Sequence, residues 1–84
     1  MKTAKDILFF MKTDATHMLE HAKEDVGACW GTYSAATLIT ISEPLREMVV
    51  DLAWRAYARA SRAVEEREAD LNRICKELAD LESP

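Results

Sequence analysis

After Pro44 the chain carries no glycine or proline until Pro84. The stretch between them is dominated by Ala, Leu, Arg and Glu, all strong helix formers. Ser42-Glu43-Pro44 ahead of it reads as a helix start: a hydroxyl N-cap, an acid in the first turn and a proline whose missing N–H costs nothing there. The expected element is one helix over 43–82, a rod of roughly 55–60 Å at 1.5 Å per residue. A rod of that length in an 84-residue chain needs a partner, either a second copy or another protein. That points to work done by binding.

A chain of 84 residues makes one small domain, near the size where a single core is marginal and oligomerisation is a common remedy. Its 49% hydrophobic fraction is ordinary for a folded protein. The net charge of −4 argues against a surface built for duplex nucleic acid. Cys29 and Cys75 stand far apart with no CxxC or Cys/His spacing, so they read as reduced, buried thiols of a cytoplasmic protein. The apolar run Ile7 to Met11 is too short for a signal peptide or a membrane span, and a soluble protein is expected.

Three pieces are expected. In residues 3–25, Ile7, Met11, Ala15, Met18 and Ala22 recur at steps of three or four, with Leu8 and Leu19 widening the stripe into an amphipathic helix. Thr3 with Asp6 three positions on has the form of a capping box. Phe9 and Phe10 point about 100° apart, so one of them meets a second surface. Residues 26–42 hold no charge at all, and Gly27, Gly31 and Ala35 repeat every fourth position. This reads as a separate, buried helix with a small-residue seam, against a competing extended reading of the β-branched run Leu38 to Ile41. The third piece is the long helix, 43–82.

Within that helix, Leu45, Val49, Leu52, Ala56, Ala60 and Ala63 share a face, with Ala53, Tyr57 and Val64 beside them. Leu71, Ile74, Leu78 and Leu81 repeat further on, and joining the two runs in heptads requires a stutter around Arg67. Residues 45–64 carry Arg46, Arg55, Arg59 and Arg62 against Glu47 and Asp51, a balance of +2. Residues 65–82 carry seven acids against Arg67, Arg73 and Lys76, a balance of −4. The expectation is that 45–64 belongs to the domain while 65–82 projects. Leu71, Ile74, Leu78 and Leu81 would then form the oligomer interface of an antiparallel helical dimer.

Few constellations suggest chemistry. His17-Met18-Leu19-Glu20-His21 matches H-x-x-E-H, and on a helix both histidines face one way. The match lacks a distal ligand and a substrate cleft, so it reads as two exposed histidines, with no metal or other cofactor expected. Arg55, Arg59 and Arg62 form a stripe with Trp54 and Tyr57 interleaved, a candidate surface for an acidic partner or a small anion. The competing reading ties the stripe into local ion pairs, Asp51 with Arg55 and Arg62 with Glu66. Trp30-x-x-Tyr33 and Trp54-x-x-Tyr57 repeat one spacing and are expected to pack the second and third helices together. No Gly-rich phosphate loop, nucleophile elbow or zinc-knuckle spacing is present.

The whole reads as an all-α chain of three helices, non-enzymatic, acting stoichiometrically on a protein partner and self-associating, with a dimer as the expected oligomer. A sequestering oligomer for a nucleotide or other small anion is the alternative. In size, mild acidity and helical build the chain is similar in style to small proteins of phages and mobile elements that bind and inhibit host machinery. No particular residues carry that likeness.

Overall fold

The computed structural model describes residues 3–83, and its helices cover all of them except Thr3, the connection 39–42 and Ser83. Two helices account for the fold: α1, Ala4–Leu38, and α2, Glu43–Glu82. They fold back on each other as an antiparallel hairpin measuring 64 × 17 × 14 Å. The chain is all-helical, as its composition implies, but the expected third helix does not exist.

The reason lies at Asp25-Val26-Gly27, where the first two expected helices meet. Charge patterning changes there but nothing breaks the backbone. A glycine inside a helix costs about 1 kcal/mol, too little to end one that is otherwise supported. Residues 26–38 therefore continue α1. They are not buried on all sides either: Ala36 is buried, but Trp30 is 51% and Leu38 82% exposed. Gly27 and Gly31 form no close seam: a Cβ on either would meet nothing within 4 Å. They point away from α2. The extended reading survives only in the connection 39–42, where the helix stops and the end residues Ile39 (φ −71°, ψ 137°) and Ser42 (φ −62°, ψ 145°) are extended.

The ends are secured unequally. Thr3 caps α1 as its sequence implies, with Oγ1 accepting from the Asp6 N–H and the Asp6 carboxylate accepting from the Thr3 N–H, each at 3.2 Å. Ser42 occupies the N-cap position of α2, but its hydroxyl makes no capping bond. Pro44 and Glu43 start that helix instead. The last turn of α1 has no basic residue of its own. Arg46 of α2 supplies one, donating from Nη2 to the Thr37 carbonyl at 2.8 Å. At the far end Lys5 pairs with Glu82 at 3.4 Å.

Facing residues follow one register. Trp30 meets Tyr57, Tyr33 meets Trp54 and Lys5 meets Glu82, and in each pair the residue numbers add to 87. The inward stripe of α1 is Ala15, Leu19, Ala22, Val26, Cys29, Tyr33 and Ala36, all buried or half-buried and spaced alternately by four and three. That of α2 is Ala53, Tyr57, Ala60, Val64, Arg67, Leu71, Ile74 and Leu78, with the same unbroken alternation. No stutter is needed. Residues assigned from the sequence to the margin of the stripe, Ala53, Tyr57 and Val64, form its centre, and Arg67 occupies a regular position within it.

This register also corrects the expected projection of residues 65–82. They lie along the first half of α1: Arg67, Asp70, Arg73 and Ile74 share a groove with Met11, Asp14, Ala15 and Met18. Leu78 is buried, while Leu71 and Ile74 are half-buried on the α1 side. Only Leu81 of the four expected interface residues is left largely open, at 51% exposed. The company that α2 requires is supplied, along its whole length, by α1 of the same chain.

Candidate interaction surface

A pair of helices has a thin core. Among the described residues only Leu19, Ala22, Ala36, Ala53 and Leu78 are buried, and no large side chain is fully enclosed. The apolar residues left over are distributed on two broad faces, one on each side of the seam.

One face carries the aromatic residues. Trp30, Tyr33, Trp54 and Tyr57 form a closed quartet with ring centroids 5.3–5.8 Å apart and tilted planes, a favourable arrangement for aromatic pairs. The repeated W-x-x-Y spacing does pack these two stretches together, as the sequence implies. The tyrosines sit half-buried in the seam, and the indoles lean over it, each about half exposed. On this side lies a shallow groove of about 350 Å³ lined by Lys23, Val26, Ser61, Val64, Glu65 and Glu68.

The opposite face carries aliphatic and thioether side chains. On α1, Ile7, Met11 and Met18 are 50%, 48% and 37% exposed and lie on one side of the helix. On α2, Leu45, Val49, Leu52 and Ala56 repeat with the spacing of a helix-packing stripe, and Leu45 and Leu52 are 46% and 57% exposed. Steps of seven continue this line through Arg59, Glu66 and Arg73. Arg73 and Asp70 share a groove of about 290 Å³ with Met11, Asp14 and Met18, which places both lines on the same side of the hairpin. The first half of α2 thus carries two adjacent packing stripes. One is used by α1, and the second, through Leu45 and Leu52, is left open. The sequence contained this signal in an apolar arc too wide for one neighbouring helix, but the arc read as a single core face.

The arginine–aromatic surface expected at Trp54, Arg55, Tyr57, Arg59 and Arg62 is not brought together. Tyr57 turns into the seam and Trp54 into the quartet. The three arginines lie on the outer side of α2, roughly 80–160° around the helix from those rings at 100° per residue. Arg55 pairs with Asp51 at 3.0 Å, the local pairing anticipated. Arg62 does not reach Glu66, and neither Arg59 nor Arg62 makes an ion pair with a described residue.

His17 and His21 are exposed and turn to separate neighbours, Glu20 at 3.8 Å and Glu24 at 3.7 Å. Among the described residues no group of three or more His, Cys, Asp or Glu is placed to hold a metal ion. Cys29 and Cys75 are free and half-buried. No helix of the described residues is long and apolar enough to cross a membrane.

Charge is distributed unevenly along the hairpin. In its terminal half, residues 4–24 carry Lys5, Lys12 and Lys23 against Asp6, Asp14, Glu20 and Glu24, a balance of −1, which with the −4 of residues 65–82 makes −5. In the half nearer the connection, Arg46, Arg55, Arg59 and Arg62 offset Asp25, Glu43, Glu47 and Asp51, a balance of zero. No protein-family model, curated protein or solved structure matches the chain.

Proposed function

We propose that this protein is a non-enzymatic helical binding module, acting stoichiometrically by completing its thin core against a protein partner. The observation that carries the reading is the second stripe, with Leu45 and Leu52 exposed and Val49 and Ala56 half-buried, beside exposed Ile7, Met11 and Met18. Apolar side chains repeating along one face of a hairpin are the usual mark of a protein contact site. Grooves this shallow, in a fold with so little enclosed volume, favour a macromolecular surface over a pocket for chemistry. Self-association is one form that such binding takes, and a heterologous partner is the other.

Affinity capture of the full chain from its native cells, with stoichiometry measured by quantitative mass spectrometry, tests the reading. The expected result is one partner at near-equimolar yield, or a stable oligomer of the chain itself. A monomer that retains no protein at stoichiometric level would overturn it. A second reading, sequestration of a small anion such as a nucleotide, draws support from the exposed Arg59 and Arg62, which make no ion pair with a described residue. Nucleotide well above its Kd would raise the melting temperature by adding several kcal/mol to the folded state, and no shift would remove this reading.

A further inference from the structure

Resting on the binding reading above, we infer that the Met11–Leu52 face receives an α-helix of a partner protein, apolar along its contact stripe and basic over one half of its length. The shape comes from the two stripes. A third helix lying in the groove between α1 and α2 meets Leu45, Leu52 and Ala56 with Ala28, Thr32 and Ala35 at the connection end. At the terminal end it meets Met11, Met18 and Ile7. By the register, Leu52 lies level with residue 35 of α1, so the distance from Leu52 to Met11 along the groove is about 36 Å at 1.5 Å per residue. The alanines and Thr32 on the α1 rim allow close approach of a helix there, while Leu45 and Leu52 supply the knobs.

The charge requirement comes from the same face. Its connection half carries one ionisable side chain of each sign on that side, Arg59 on the Leu45–Leu52 line and Asp25 on the Met11–Met18 line, and is neutral there. Its terminal end carries Asp14, Glu66, Asp70, Glu77 and Asp80 against Arg67 and Arg73. Asp14 and Asp70, on the rim of the groove over Met11 and Met18, make no ion pair with a described residue. Lysine or arginine side chains of a partner can lay their stems on the methionines and place their charges at these two carboxylates.

A second copy satisfies this pattern poorly. A parallel pairing superposes two terminal halves of −5 each. A full antiparallel pairing buries the acidic half of each chain against the neutral connection half of its mate, where Arg59 and Asp25 on that face offset each other and the excess carboxylates find no free cation. Overlap confined to the two connection ends leaves Ile7 and Met11 uncovered.

The test uses synthetic helical probes of about 28 residues, long enough to span the groove. Each has Leu and Ala at alternating spacings of three and four. The flanking positions of one half are all Lys in one set and all Glu in the other, with that half placed N-terminal in one version and C-terminal in another. With the full chain, at least one Lys probe should bind about tenfold or more tighter than its Glu counterpart, and should weaken as salt rises. Leu52→Glu should reduce that binding by at least about tenfold. Phe9→Glu, which changes an exposed residue on the other side, should not. Circular dichroism of both variants checks that the hairpin persists. Failure of both Lys probes to bind overturns the inference, as does loss of binding with Phe9→Glu or indifference to Leu52→Glu. Sedimentation supplies the remaining outcome: a dimer dissolved by Leu52→Glu would assign the face to a second copy, overturning the inference while sustaining the binding reading.

Discussion

Arg67 is the one charged residue in the centre of the α2 stripe, and replacing it with leucine should stabilise the hairpin. The position is half-buried, lies between Val64 and Leu71 in the regular spacing, and its guanidinium makes no ion pair with a described residue. Full burial of a leucine contributes about 1.5–3 kcal/mol, so a half-buried site contributes about 1 kcal/mol. Arg and Leu have similar helix propensity, which removes that term. The aliphatic stem of Arg67 already covers part of the same surface, and losing it offsets some of the gain. The net expectation is about 0.5–1 kcal/mol in favour of Arg67→Leu, or roughly 3–6 °C in Tm for a chain of this size. Thermal and urea unfolding followed by far-UV circular dichroism, at widely separated protein concentrations, measures it and separates folding from association. Arg67→Gln, polar and shorter, should be neutral or slightly destabilising. A lower Tm for Arg67→Leu at unchanged oligomeric state would show that the arginine is itself a stabilising element of the seam, and would refute the reasoning.

Three further outcomes follow from the same geometry. Gly27→Ala and Gly31→Ala should each stabilise by about 0.5–1 kcal/mol in urea titrations, because a Cβ there meets nothing within 4 Å and the backbone is already helical; destabilisation at either would mean that another surface packs on them. Leu78→Ala should cost about 2 kcal/mol, the lower end of the range for core truncations, since Leu78 is buried in a seam open to water on both sides. Hydrogen exchange should show the loss of protection concentrated in the terminal half. Trp54→Ala removes two ring contacts, with Tyr33 and Tyr57, costing about 0.5–1.5 kcal/mol beyond the lost area; the near-UV dichroism of Trp30 should fall as well, and an unchanged Trp30 signal would deny the quartet in solution.

Much of the fold was legible in the sequence, and what was not has identifiable causes. The start of α1 followed from Thr3 and Asp6, the span of α2 from its unbroken run after Pro44, and the aromatic pairing from a repeated spacing. The helix count failed at Gly27 and Gly31, where a change of composition suggested a boundary that the backbone does not have. The seam of α2 failed for a different reason. Two apolar stripes run side by side from Leu45 to Ala60, and periodicity alone does not say which one the chain itself covers. Choosing Leu45, Val49 and Leu52 as core forced a stutter at Arg67, whereas Ala53, Tyr57, Ala60 and Val64 require none. The candidate surface was missed by the same step, because the residues now left open had been assigned to the interior. The arginine stripe was legible as a stripe, but sharing a stretch of sequence with Trp54 and Tyr57 did not place it on their side of the helix.

The register of the hairpin also sets the order in which it can assemble. Arg46 and Thr37 stand nine residues apart. The rings of Trp30 and Tyr57 are 27 apart, and Lys5 and Glu82 are 77 apart. Closing the widest of these before the narrowest costs about 2 kcal/mol more in chain entropy, so contacts form outward from the connection like a zipper. The Arg46 bond and the aromatic quartet lie at its starting end, and Lys5 and Glu82 at the free ends of the two helices meet last. For a chain made from its N-terminus, α1 must wait unpartnered until the first turns of α2 have been synthesised. The quartet, next after the Arg46 bond, is then the first side-chain cluster through which the two helices recognise each other.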